Sequence, residues 1–288
     1  MEEKMAGVDS LLDAISSGIT IFDLGRPLFA GAPQSPNHPN FLRTLPRRHG
    51  DVVRKDGTSA ANDLIVMGSH VGTHIDALAH VSHHGRLHGG LDATDEQRGG
   101  DFMSGGAQDI EPIVGRGILL DIPTALVVDA CEPGYEITPH DLETAVARQK
   151  TPLRTGDVVL VRSGWGRRWS QSAAYLGAET GVPGVGEAGA HWLAARRPRV
   201  VGADSIAFEQ QLPGNGNPPL PGHRVLLVES GINIIESMNL EELAATANFE
   251  FTFVLAPLAI VGATGSPARP LALVASSGGR QPGSLQST

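Results

Sequence analysis

The chain has 288 residues, 41% apolar and 18% charged, with a formal net charge of −9 and a sequence pI near 5.6. That composition excludes a disordered chain. An acidic chain with no basic face also excludes a binder of nucleic-acid phosphates, and the one basic cluster, Arg196–Arg199, reads as the end of a helix. Cys131 is the only cysteine, so no internal disulfide forms, which fits a reducing cytoplasm. The N-terminus begins acidic, unlike a secretory signal. No run approaches the roughly 18 uncharged apolar residues of a membrane span, so no membrane role is expected.

In chain order, strands and helices alternate. Leu11–Ile15 suggests a short helix, and Ile19–Leu24 a strand crowded with β-branched and aromatic residues. A loop carrying Pro27, Pro33, Pro36 and Pro39 follows. The segment from Asp63 to Ile75 reads as a second extended stretch, and Gly117–Pro123 as a buried strand. Thr138 as N-cap, Pro139 at the first helical position and Asp141 in the first turn mark a helix start. GDVVLVRSGW is another buried strand, GEAGAHWLAARR a helix and RVVGADS a strand ending in Asp204. The segment from Gly222 to Ala244 reads as helix, strand, turn, helix, and two or three strands close the chain. One α/β domain with a mixed sheet over residues 1–275 is the simplest account, with 276–288 as a flexible tail.

The stretch from Gly68 to Gly90 holds six of the eleven histidines: His70, His74, His80, His83, His84 and His88. Val71, Gly72, Thr73 and Ile75 disfavour a helix there. In an extended chain His70, Gly72, His74 and Asp76 share one side, and Gly72 leaves space for an ion. Two imidazoles and a carboxylate on one face suit Zn²⁺, Mn²⁺ or Fe²⁺ with positions open for water and substrate. Such an ion can bring the pKa of its water down to about 7 in the zinc case. His80, just past these residues, is of the right type to accept that proton and pass it to a leaving group. His83 and His84 are expected at the solvent or the rim, and His38 and His49 flank the Pro-rich loop. Asp204 is expected to be structural. Ser163 lacks the G-x-S-x-G elbow of a serine hydrolase, and Gly262–Pro267 is a turn rather than a phosphate loop.

The run HVGTHIDALAH resembles the H-x-G-T-H-x-D-x-x-x-H signature of the metal-dependent cyclase-like hydrolases, the family of bacterial kynurenine formamidase, isatin hydrolase and trans-dienelactone hydrolase. FDLGRPL, GDVVLVRSGWG, VGADSIAFE, HRVLLVESGINIIESMNLEEL and APLAIVGATGSPARPLALV continue the resemblance in order along most of the chain. It implies a swivelling β/β/α-type domain, hydrolysis of an amide or ester, His70, His74 and Asp76 as metal ligands, His80 as acid/base, and a homodimer. The expected cofactor is a divalent metal, Zn or Mn, and the expected partner a small-molecule substrate. Leu78 stands where the kynurenine formamidase pattern has Pro, and the N-terminal loop lacks its Trp. Both departures imply a compact ring-containing amide, imide or lactone rather than N-formylkynurenine.

His223 and Glu236 lie thirteen residues apart with a turn at Gly231 between them, so the chain can fold back and bring them together. The resemblance places a His and a Glu at the matching positions of a second metal site or the substrate shell, with a spacing one residue shorter. A metal-dependent cyclase or lyase, and a non-catalytic metal-binding protein, remain the alternatives to the hydrolase.

Overall fold

The computed structural model describes residues 12, 13, 15–214 and 219–276. The expected tail lies outside them but for Ser276. Of the expected N-terminal helix, Leu12, Asp13 and Ile15 fall inside and are helical.

Nine strands form one mixed sheet: β1 (Ile19–Asp23), β2 (His74–Asp76), β3 (Ile113–Asp121), β4 (Val158–Arg162), β5 (Val200–Ala203), β6 (Asn233–Glu236), β7 (Glu250–Leu255), β8 (Gly265–Pro267) and β9 (Leu271–Ala275). Their order is β1-β9-β7-β3-β4-β5-β6-β2-β8. The central four, β3 to β6, are parallel, and every flanking pair is antiparallel. The parallel strands are buried on both faces, which is why VVLVR and VVGA read as continuous apolar runs rather than alternations.

Two apolar layers cover the sheet. Leu120, Val159, Val161 and Val201 pack with Leu142 and Ala145 of helix α1 (Pro139–Gln149) and Leu193 of helix α2 (Glu187–Ala194). Leu119, Val158, Leu160 and Ile235 point the other way, onto Phe253, Met238 and Leu243. Helix α1 begins where the sequence places it. The Thr138 hydroxyl accepts from the Asp141 backbone and the Asp141 carboxylate accepts from the Thr138 backbone, a reciprocal capping box. Among the described residues no helix is long and apolar enough to cross a membrane.

Two expectations fail. The extended stretch over 63–75 is broken: a strand over Asn62–Val66 ends before a turn, and pairing resumes only at His74. Gly72 causes the break, since its φ is +68°. It leaves no space for an ion either, because a Cβ there would come within 2.5 Å of Leu28 Cδ2. The loop expected after β1 is present through Phe41, and beyond it lies a strand left unassigned in the sequence, Leu42–Arg47, which pairs antiparallel with Asn62–Val66 to form an arm separate from the main sheet.

Candidate metal centre

β2 is the shortest element that matters most. It lies between β6 and β8, antiparallel to both, with His74 opposite Glu236 and Asp76 opposite Ile234 and Gly265. Alternation puts His74 and Asp76 on one face and sends Ile75 into the core, fully buried. Direct opposition across the β2–β6 pair, where Cβ atoms lie about 4.5–5.5 Å apart, is what delivers Glu236 to His74. Glu236 Oε2 is 3.5 Å from His74 Nε2, and Asp76 Oδ1 is 3.3 Å from the same nitrogen.

His70 arrives by the turn at Gly72, not by strand alternation. Its Nδ1 lies 2.8 Å from Asp76 Oδ1 and its Nε2 2.9 Å from the Thr264 hydroxyl. The loop that enters β8 therefore seats His70, the turn expected over Gly262–Pro267 giving way to strand from Gly265 on, and Gly265 must lack a Cβ because His70 and the Ile75 carbonyl fill that space. His80 stacks on His70 with ring centroids 3.9 Å apart, and His38 stacks at 5.2 Å. His223 closes the ring, with Nε2 3.2 Å from Glu236 Oε1 and 3.5 Å from Asp76 Oδ2.

The expected set of His70, His74 and Asp76 divides around Asp76. The ligand atoms of His70, Asp76 and His80 lie within 4.8 Å of one another, as do those of His74, Asp76 and Glu236. The residues fit a divalent ion. Asp76 Oδ2 and Glu236 Oε1 are buried and have no hydrogen-bond partner. Both oxygens face His223 Nε2 without a hydrogen bond, and carboxylates so buried are costly unless positive charge meets them. Imidazole and carboxylate donors without a thiolate suit Zn²⁺, Mn²⁺ or Fe²⁺. His74 is preset for the task, since its Nδ1 donates to the Gly72 carbonyl at 2.9 Å and turns Nε2 to the carboxylates.

Without a cation, protons hold the cluster together. Burial pushes the His74 pKa down, but Asp76 and Glu236 outweigh it and raise it to about 9. Burial and the neighbouring Asp76 raise the Glu236 carboxyl. His80 goes the other way: burial lowers its pKa to about 3, with the nearby imidazoles adding to the shift against the pull of Asp76. It is neutral at pH 7.

His83 and His84 are exposed, as expected. His49 belongs to the exposed arm, where it meets the Ser59 hydroxyl. Asp204 is a structural hub. Its carboxylate accepts from the backbone and hydroxyl of Ser163 and from the Gly164 and Gly166 amides. Sequence reasoning did not single out Thr264, or Glu209, whose carboxylate meets His223 Nδ1. Neither carries a spacing signal, because each reaches the cluster from a distant loop.

Because the His74 pKa is raised to about 9, the metal-free ring is protonated at pH 7, whereas a metal needs it neutral. Metal uptake at pH 7 will release at least one proton per ion, and affinity will fall as pH drops. Calorimetric titration with Zn²⁺ in two buffers of different ionisation enthalpy reads this directly; heats independent of the buffer would contradict it.

The Cyclase family model matches residues 22–210. Isatin hydrolase from Roseibium aggregatum is 26% identical over 281 residues, covering 95% of this chain and 98% of that protein. A crystal structure of a novel cyclase superposes with a TM-score of 0.79 at 29% identity, covering 88% of each chain. Isatin hydrolase A from Labrenzia aggregata, bound to benzyl benzoate, gives a TM-score of 0.69 at 25% identity, covering 94% of this chain and all of that one. By the extent of the family match and the shared mixed sheet, this chain belongs to the Cyclase family.

Proposed function

We propose that the protein is a metal-dependent hydrolase that opens a small cyclic amide, imide, lactone or aryl formamide. The observation that carries this reading is the pair of orphaned, buried carboxylate oxygens on Asp76 and Glu236, set beside a neutral His80. A cofactor Zn²⁺ or Mn²⁺ would be held by His74, Asp76 and Glu236, with His70 and His223 completing the cluster on either side. When bound, the ion supplies Lewis acidity toward water and toward a carbonyl oxygen. The chain's own groups move the proton. As water adds to the carbonyl carbon, His80 accepts its proton. The C–N or C–O bond then breaks, and His80 returns that proton to the departing nitrogen or oxygen. The relatives named isatin hydrolase support a cyclic amide as the substrate, and the N-terminal loop, which lacks the Trp of the kynurenine formamidase pattern and stacks the imidazole of His38 on His70, is in keeping with it. The single buried Cys131 is in keeping with a cytoplasmic enzyme.

Steady-state kinetics on isatin, simple lactones and N-formylkynurenine test both substrate and mechanism. The cyclic compounds should show the higher kcat/KM. His80→Ala should keep its metal and lose roughly 10²–10⁴ in kcat, the usual size of general acid–base catalysis. Turnover unchanged in a metal-loaded His80→Ala protein would remove His80 from the mechanism, and N-formylkynurenine ahead of every ring compound would overturn the substrate class.

The working form in this reading is a homodimer. The arm over 42–66 exposes Leu42, Val53, Leu64, Ile65 and Val66, each more than half accessible. A two-stranded hairpin is marginal alone in water, and such a patch marks an interface. Contrary to the expectation of a single basic cluster at Arg196–Arg199, Arg43, Arg47, Arg48, Arg54 and Lys55 outnumber Asp51, Asp56 and Asp63 here, so the arm is basic on a chain of net charge −9. A second acidic copy is its natural cover. Sedimentation should find a dimer that Ile65→Glu converts to monomer; a monomeric wild type, or a variant that stays dimeric, would contradict it.

A further inference from the structure

Glu209 is a buried carboxylate outside the set of metal ligands, 1% exposed, with its charge spent on one neighbour. Oε1 accepts from His223 Nδ1, and Oε2 accepts from the backbone N–H of Gly222. One carboxylate thus grips a histidine by its ring and by the amide just before it. Both contacts depend on glycines. A Cβ on Gly222 would press within 2.8 Å of Glu209 Oε2, and one on Gly184 would collide with the Glu209 backbone.

The backbone aims this carboxylate. Phe208, fully buried, has φ +57°, which a bulky non-glycine residue adopts only when its surroundings compel it. Here the Phe208 carbonyl accepts from Val185 N and the Val185 carbonyl accepts from Gln210 N, so the backbone of Val185 clamps both sides of Glu209. On the receiving side, His223 ends a single α-helical turn, Pro221–His223, and the chain widens at once into a π-helix over Arg224–Glu229. Such widened turns are uncommon and cluster at functional sites.

We propose that Glu209 is a positioning residue: it fixes His223 with Nδ1 bound and Nε2 turned to Asp76 and Glu236, so that His223 meets the ion held there. This rests on the reading that His74, Asp76 and Glu236 hold a divalent metal. A histidine whose far nitrogen is held by a carboxylate is a better-oriented and more basic ligand, and losing such a partner typically costs about 10–100-fold in metal affinity.

The test is Zn²⁺ affinity by chelator competition on the full-length protein, for wild type, Glu209→Ala, Glu209→Gln, His223→Ala, the Glu209→Ala/His223→Ala double variant and His74→Ala. Glu209→Ala should weaken the ion by about 10–100-fold, and the double variant should bind no more weakly than His223→Ala alone. Glu209→Gln should fall between, because its amide can accept from His223 only by turning its NH₂ against the Gly222 N–H, and it carries the test should the alanine variant fail to fold. Nitrogen-proton correlation spectra of the metal-free protein should show a strongly downfield His223 Nδ1 proton that Glu209→Ala abolishes. Unchanged zinc affinity in both Glu209 variants overturns the proposal. So does an equal further loss in the double variant, or unchanged affinity in His223→Ala. Unchanged affinity in His74→Ala instead refutes the metal reading itself.

Discussion

Asp76 has no exposed surface, and imidazoles approach both of its oxygens. A carboxylate stripped of water must be met by positive charge, or it destabilises the fold around it. His70 takes up Oδ1, while Oδ2 faces His223 and has no hydrogen bond. The burial of this one group sets the terms for everything near it. His74 and His223 hold protons well above the usual imidazole range, against the effect of burial, because carboxylates surround them. His80, one ring further out, is driven neutral. In the proposed reading a divalent ion would take the place of the protons on the first two, and the third would be left to accept one.

The sheet exists around the site in a specific sense. β2 supplies only three residues, yet it is wedged between β6 and β8, so its two outward side chains are fixed from both sides. The parallel core of β3 to β6 carries the stability, with alternate residues entering two apolar layers. Asn233 adds a further tie, its side-chain amide donating to the Asp76 carbonyl. Four distant parts of the chain then converge around β2: loops bring His38 and Thr264, a helical turn brings His223, and Glu209 backs His223 from behind.

How much of this could be read beforehand depended on what held each residue in place. His74 and Asp76 share a face by strand alternation, which spacing alone reveals. His70 reaches the same cluster for another reason, since positive φ at Gly72 turns the chain, and that conformation has no periodic signature. Glu236 was legible as a carboxylate ending an apolar strand, and its register opposite His74 supplies the reason. Glu209 was not, because its aim depends on the Phe208 backbone and on a clamp at Val185 that only the folded chain displays. The arm strand Leu42–Arg47 was missed because Pro46 and its arginines argue against a strand, and edge pairing in a two-stranded arm tolerates both.

The proposed chemistry requires a cation that meets the orphaned oxygens of Asp76 and Glu236. Crystals of protein loaded with Mn²⁺ or Zn²⁺, with anomalous scattering recorded at the metal's absorption edge, would show this most directly. The expected result is a peak at ligand distance, about 2.0–2.2 Å for zinc with nitrogen and oxygen donors, from Asp76 together with His74 and Glu236. Metal-loaded, active protein with its anomalous peak beyond reach of Asp76 would contradict it.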